Sequence, residues 1–209
     1  MVQVLKESVK KQIAHAAERM FARVGYKKAT IGLIAEEAGV ATGNIYKYYA
    51  SKEALFHSII TAEFVAQFER LTRNRVASLI DPAKAESVRS IENGDAGKLL
   101  RFWIDNRLKV IIILSRAEGS TYESFADTYI QSITRQSMDN LPTTHPNLKD
   151  TDIFRFTFRS RLAETVRGVV SILETFEEEQ QIVDAFATSW AYHYAGINAV
   201  IAWCSRQAD

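Results

Sequence analysis

Apolar side chains recur at three- and four-residue intervals along nearly the whole chain, and no stretch alternates apolar and polar residues long enough to make a strand. That pattern leaves an all-α fold. The length, 209 residues, is enough to bury one large core or two small ones. Only 3 prolines and 9 glycines interrupt the pattern, so each interruption carries information about where helices end.

Val9, Ile13, Ala17, Phe21 and Val24 make one stripe, which predicts a first helix over roughly 5–24 with Gly25 placed to end it. Thr30 is a natural N-cap for a short helix carrying Ile31, Ile34, Ala35 and Ala38, which Gly39 terminates. A third short helix is expected at 42–48. Ser51 caps the next, and Leu55, Phe56, Ile59, Ile60, Phe64, Phe68 and Leu71 continue it as one long helix towards Arg75, joining two parts of the chain. Pro82 and the Glu92–Gly94 region break the pattern around a short helix at 83–91.

The run from Leu99 to Leu114 reads as buried helix, Gly119 and Ser120 break it, and a helical stripe resumes over 122–138. Pro142 and Pro146 mark 140–152 as a loop. Two long helices, 153–178 and 180–205, then pair across the acidic run Glu177–Glu179. Gly168 and Gly196 lie inside them, where glycine costs about 1 kcal/mol against alanine, and close helix approach is the simplest reason for both.

Several function classes are excluded on chemical grounds. The single cysteine, Cys204, cannot form an internal disulfide and suits a reducing compartment. Met1 to Lys11 contains Lys6, Lys10 and Lys11 and lacks the apolar run of a signal peptide, so a cytoplasmic location is expected. Ala185 to Ser205 has no charged side chain and is long enough to span a bilayer. Thr188, Ser189, His193 and Asn198 suit a helix between protein helices better than one facing lipid, so no membrane partner is expected. His15, His57, His145 and His193 stand apart from one another and from Cys204, with no Gly-rich phosphate loop, His-Glu-x-x-His or nucleophile elbow. Neither a metal, a cofactor nor an enzymatic activity is therefore expected. Phe64, Phe68, Phe102, Trp103, Phe125 and Tyr129 read as core, and no ligand-binding residue is assigned.

Charge is distributed unevenly. Residues 1–56 hold nine lysines and arginines against five acids, +4, while the whole chain carries +1, leaving −3 beyond residue 56. Such polarity suits one end meeting phosphates and the other meeting a second chain or a small molecule.

The segment from Thr30 to Leu55 has the spacing of a helix-turn-helix. Ala35 is small where the two helices cross, Gly39 can take the left-handed turn, and Ile34, Ala38, Val40 and Ile45 fill the wedge. Thr42, Gly43, Asn44, Lys47 and Tyr48 remain as a polar surface on the third helix, where a recognition helix meets base edges. Thr30 followed by Ile34-Ala35, Ala38-Gly39-Val40, Gly43-x-Ile45-Tyr46-x-Tyr48-Tyr49 and Ser51-Lys52-Glu53-x-Leu55 resembles the signature of TetR-type transcriptional repressors over about residues 5–60.

That resemblance implies a helix-turn-helix DNA-binding domain at 1–50, then a helical ligand-binding and dimerisation domain at 51–209. Thr42, Gly43, Asn44 and Lys47 would face bases, and Thr30, Tyr46, Tyr48 and Lys52 would hold phosphates. It further implies double-stranded operator DNA, a homodimer through the two C-terminal helices, and a small-molecule effector that releases the operator. Two positions depart from the family habit. Ala41 stands where Ser or Thr is usual, which would shift the cap of the third helix to Thr42, and Tyr49 replaces the commoner Phe. The competing reading is a helical scaffold or partner-binding protein without DNA activity.

Overall fold

The computed structural model describes residues 2–79 and 94–206. In chain order its helices are α1 (Val2–Val24), α2 (Ile31–Glu37), α3 (Thr42–Tyr46), α4 (Lys52–Ile59), α5 (Ala62–Leu79) and α6 (Gly94–Asp105). Then come α7 (Arg107–Ile111), which runs into a π-turn at Ile112–Arg116, α8 (Phe125–Thr144), α9 (Asp152–Thr175) and α10 (Glu179–Arg206). No strand occurs among the described residues, as the sequence pattern requires. The expected helix at 83–91 lies outside them.

The chain divides into two compact units: Met1–Ala66 with Asn106–Ala126, and Gln67–Asp105 with Asp127–Asp209. In the first, α1 is the central rod. Its Ile13, Ala16, Ala17 and Phe21 are fully buried together with Ile34 of α2, Ile45 of α3 and Leu55 and Phe56 of α4. Phe56 meets Phe21 and Tyr26 edge-on, at ring-centroid distances of 5.4 and 4.8 Å. α1 ends at Gly25, whose φ of +83° is a left-handed conformation that favours glycine. The Tyr26 N–H then donates to the Arg116 carbonyl at 2.8 Å, and Lys27 pairs with Glu118 at 2.6 Å.

α2 is fixed to α1 by charge as well as packing. Glu37 accepts from Arg19 and Arg23 at 3.0 Å each, and those bonds hold its carboxyl below the ordinary 4.5. A lowered folded value means that this contribution to stability is present above pH 4.5 and fades as pH falls through the folded value. Glu37→Gln should therefore lower the melting temperature slightly at neutral pH, with the gap to wild type closing at pH values below that range. An equal gap at both pH values would remove the ion pairs from the account.

In the second unit Phe68 packs between Phe102 and Tyr129, with centroids 5.6 and 5.0 Å away. The Tyr129 hydroxyl is 2.9 Å from Thr72 Oγ1, and burial pushes its phenol well above the usual range. α9 and α10 pack together, and Phe154, Phe158 and Ile201 share a core with Leu141 of α8, against which Met138, Leu162, Ile197 and Cys204 lie.

Four sequence expectations are corrected. The single helix from Ser51 is two, because Ile60 leaves helical geometry at φ −94°, ψ 82° and Thr61 accepts from the Phe64 N–H at 3.2 Å to start α5. The run 99–114 is interrupted at Asn106, with φ −119° and ψ 30°. The loop expected from Asn140 is helix as far as Thr144, despite Pro142. Leu141, 6% exposed and packed on Phe154, holds that last turn in place. Gly168 does face α10, since a Cβ there would lie 4.0 Å from His193 Nε2, but Gly196 has open space around it, so close approach within the chain does not explain it.

Candidate nucleic-acid interface

The surface built by α2, α3 and the start of α4 depends on a dry wedge beneath it. Ile34 and Ile45 are 0% exposed, and Ala35 and Ala38 nearly so. Gly39 takes φ +64° in the turn between the helices, where an L side chain would be strained. The Val40 N–H closes that turn on the Ala35 carbonyl at 3.0 Å, and the Gln12 amide holds the Ala38 carbonyl at 2.7 Å. The wedge therefore fixes the position of α3, and α3 carries the polar residues.

Thr42 and Gly43 are exposed at the start of α3, and Asn44 is half-buried one position on. No atom lies within 4 Å of where a Cβ on Gly43 would sit. The protein itself therefore has room for a side chain at that position. Lys47 Nζ donates to Asn44 Oδ1 at 3.0 Å, which sets two of the expected base-facing side chains in one pair. Tyr46 is 56% exposed, and Tyr48 is half-buried.

Thr30 caps α2: its Oγ1 accepts from the Leu33 N–H at 3.2 Å. The hydroxyl proton remains free to be donated outward. The third helix has no such cap. Ala41 occupies the N-cap position with no side-chain bond, so the role does not pass to Thr42, which is the first residue of α3. The Asn44 N–H instead donates to the Ala41 carbonyl at 2.8 Å. The Tyr49 hydroxyl donates to the Lys10 carbonyl at 3.3 Å, which ties the end of this segment to α1.

Lys52 does something the sequence did not reveal. Its ammonium donates to the carbonyls of Tyr26 and Ala29 at 2.9 and 3.0 Å and lies 4.2 Å from the centre of the Tyr26 ring. Desolvation lowers its pKa. Two of its three protons are thus committed to the turn between α1 and α2, which leaves one for a phosphate. Thr30, Thr42, Gly43, Asn44, Tyr46, Lys47 and Tyr48 occupy α2, α3 and the turn after it, whereas Lys52 points back to the 26–29 turn. Carbonyl partners of this kind leave no trace in a residue pattern.

Among the described residues no group of His, Cys, Asp and Glu is arranged to hold a metal. No described helix is long and apolar enough to cross a membrane.

The comparisons fall on the same segment. Residues 13–59 match the family model described as "Bacterial regulatory proteins, tetR family". The chain is similar to an uncharacterized HTH-type transcriptional regulator, YhgD, of Bacillus subtilis (strain 168), 44% identical over 52 residues, 25% of this chain and 27% of that one. It is also similar to the HTH-type transcriptional regulator BetI of Vibrio atlanticus (strain LGP32), 31% identical over 86 residues, 41% of this chain and 42% of that one. The match thus spans well under half the length of either curated relative. Among solved structures, the fatty acid degradation regulator FadR from Bacillus halodurans aligns over 85% of this chain and 92% of that one, 21% identical, with a TM-score of 0.43. Residues 13–59, which contain the buried wedge and the exposed face of α3, belong to the bacterial regulatory proteins of the tetR family.

Proposed function

We propose that this protein is a cytoplasmic, one-component DNA-binding transcriptional regulator, a repressor, without enzymatic activity. The observation that carries the reading is the pairing of a fully buried wedge, Ile34 and Ile45, with the exposed Thr42, Gly43 and Lys47 on the same short helix. A helical hairpin serving only as core has no need of that polar face. In this reading residues 1–50 bind DNA and 51–209 bind ligand and dimerise. Thr42, Gly43, Asn44 and Lys47 meet bases, while Thr30, Tyr46, Tyr48 and Lys52 meet phosphates. The relatives named above as HTH-type transcriptional regulators support it.

Lys47→Ala and Tyr48→Ala are each expected to weaken binding to the duplex flanking the chain's own gene by about 1–3 kcal/mol. Gel-shift titration measures this, with a sedimentation run to show that the assembly is unchanged. Unaltered affinity in both variants would remove α3 as the reading helix.

A homodimer through α9 and α10 belongs to the same proposal. Most of the apolar side chains on these helices are consumed inside the chain: Phe154, Phe158, Val166, Val169, Leu173, Ile182 and Ile201 are all buried. The surplus is a different set. Ile153 and Phe156 on α9 are 78% and 74% exposed, and Tyr192 and Trp203 on α10 are 76% and 61% exposed. Tyr192, the open Gly196 and Trp203 fall on one helical stripe, which lets a second helix approach closely. A dimer would set two α3 helices about one DNA turn apart, roughly 34 Å, and an effector that changed the spacing would release the operator. Phe156→Glu with Trp203→Glu should give a monomer in sedimentation at micromolar concentration; a dimer unaffected by both changes would place the interface elsewhere.

A further inference from the structure

The second unit contains a small cavity that differs in character from the aromatic core beside it. Arg75, Ala96, Leu99, Leu100, Trp103, Phe186 and Trp190 line it. Its volume is about 90 Å³. Sites for drug-sized ligands run to about 300–1,000 Å³, whereas a cavity of roughly 150 Å³ holds benzene, so the space suits a single ring. The walls suit one too, since Trp103 and Phe186 lie 5.1 Å apart at 33°.

The polar groups of this cavity are all donors. The Arg75 guanidinium lies 4.6 Å over the Trp190 ring, and no carboxylate among the described residues pairs with it. Asp95 acts on it only from a distance and is itself 3.6 Å from Lys98. Desolvation draws the guanidinium down to about 10, which leaves it charged at neutral pH. The indole nitrogens of Trp103 and Trp190 are both buried without an acceptor. A buried donor left unmet costs about 1–3 kcal/mol, and three lining residues present such donors together with no acceptor among them. Neutral or cationic occupants cannot satisfy that set.

We propose that this cavity binds a small aromatic monocarboxylate, the ring between Trp103, Phe186 and Trp190 and the carboxylate on Arg75. As a binding site it stands alone; as a regulatory site it rests on the ligand-responsive reading above. The test is a tryptophan-fluorescence titration of the full chain with benzoate, benzamide and benzylamine in the absence of DNA. Trp103 and Trp190 report on the cavity, while the exposed Trp203 supplies a constant background.

Benzoate should quench emission saturably, benzamide and benzylamine at least about tenfold more weakly, and Arg75→Met should cost benzoate at least about tenfold, the value of a charge-assisted bond. Ala96→Leu, which fills the cavity and keeps the guanidinium, should abolish saturation, and it decides the matter if Arg75→Met does not fold by circular dichroism. Equal binding of benzamide, no saturation with benzoate, or undiminished benzoate binding in the Ala96→Leu variant would each overturn the assignment. Failure here leaves DNA binding untouched. Conversely, saturation with benzoate and an unchanged operator affinity would end the effector reading while keeping the site.

Discussion

Phe56→Ala is expected to cost about 3–5 kcal/mol, a large part of the roughly 5–15 kcal/mol that holds a domain folded. Phe56 is 0% exposed and is gripped edge-on by Phe21 at 5.4 Å and Tyr26 at 4.8 Å. Truncation leaves a cavity bordered by two rings, and α1 is too long and too widely packed to collapse into it. The same three rings join the end of α1 and the turn after it to α4, and the Lys52 bonds to the Tyr26 and Ala29 carbonyls span that joint. Urea unfolding followed by far-ultraviolet circular dichroism measures the loss. A midpoint shift equivalent to less than about 1 kcal/mol would mean that the joint is not the core of the first unit.

Gly43→Ala should move stability and DNA affinity in opposite directions. A Cβ at Gly43 meets nothing within 4 Å, and the residue is not among those with positive φ. Helix propensity then favours alanine by up to about 1 kcal/mol, so the melting temperature should stay level or rise. If the α3 backbone approaches DNA at Gly43, the added methyl group obstructs that approach and affinity should fall by about tenfold or more, equivalent to 1.4 kcal/mol. Glycine chosen for the fold alone predicts the reverse: no change in binding. Parallel thermal melts and duplex titrations separate the two explanations.

The parts of the fold that were legible are those where one residue decides a local geometry. Gly25 and Gly39 end α1 and α2 in left-handed conformations, and Thr30 and Ser51 cap α2 and α4 through their hydroxyls. The break at Ile60 was not legible because Phe56, Ile59, Ile60 and Phe64 keep their spacing through it, and periodicity reads only spacing. Thr61 followed by Glu63 in the first turn of α5 was the signal available for a new helix start.

Pro142 misled in the other direction. Its ring forbids one backbone bond, but contact between Leu141 and the core of Phe154, Phe158 and Ile201 outweighs that loss so close to the helix end. At the candidate interface the residue types were readable and their partners were not. That Lys47 is tied to Asn44, and Lys52 to two carbonyls, depends on side-chain reach in three dimensions. The cavity beside Arg75 was hidden for the same reason. Trp103 was expected in the core, and Trp190 on α10 was expected to serve the surplus face of the C-terminal helices; only folding brings both to one guanidinium.

The central claim is sequence-specific DNA binding by α3. Its most direct test is an anisotropy titration of the intact chain against the duplex flanking its own gene and a shuffled duplex of the same composition, at two salt concentrations. The account predicts tighter binding to the flanking duplex by about a thousandfold or more, with both affinities falling as salt rises. Equal affinity for the two duplexes, or binding to neither, would contradict it.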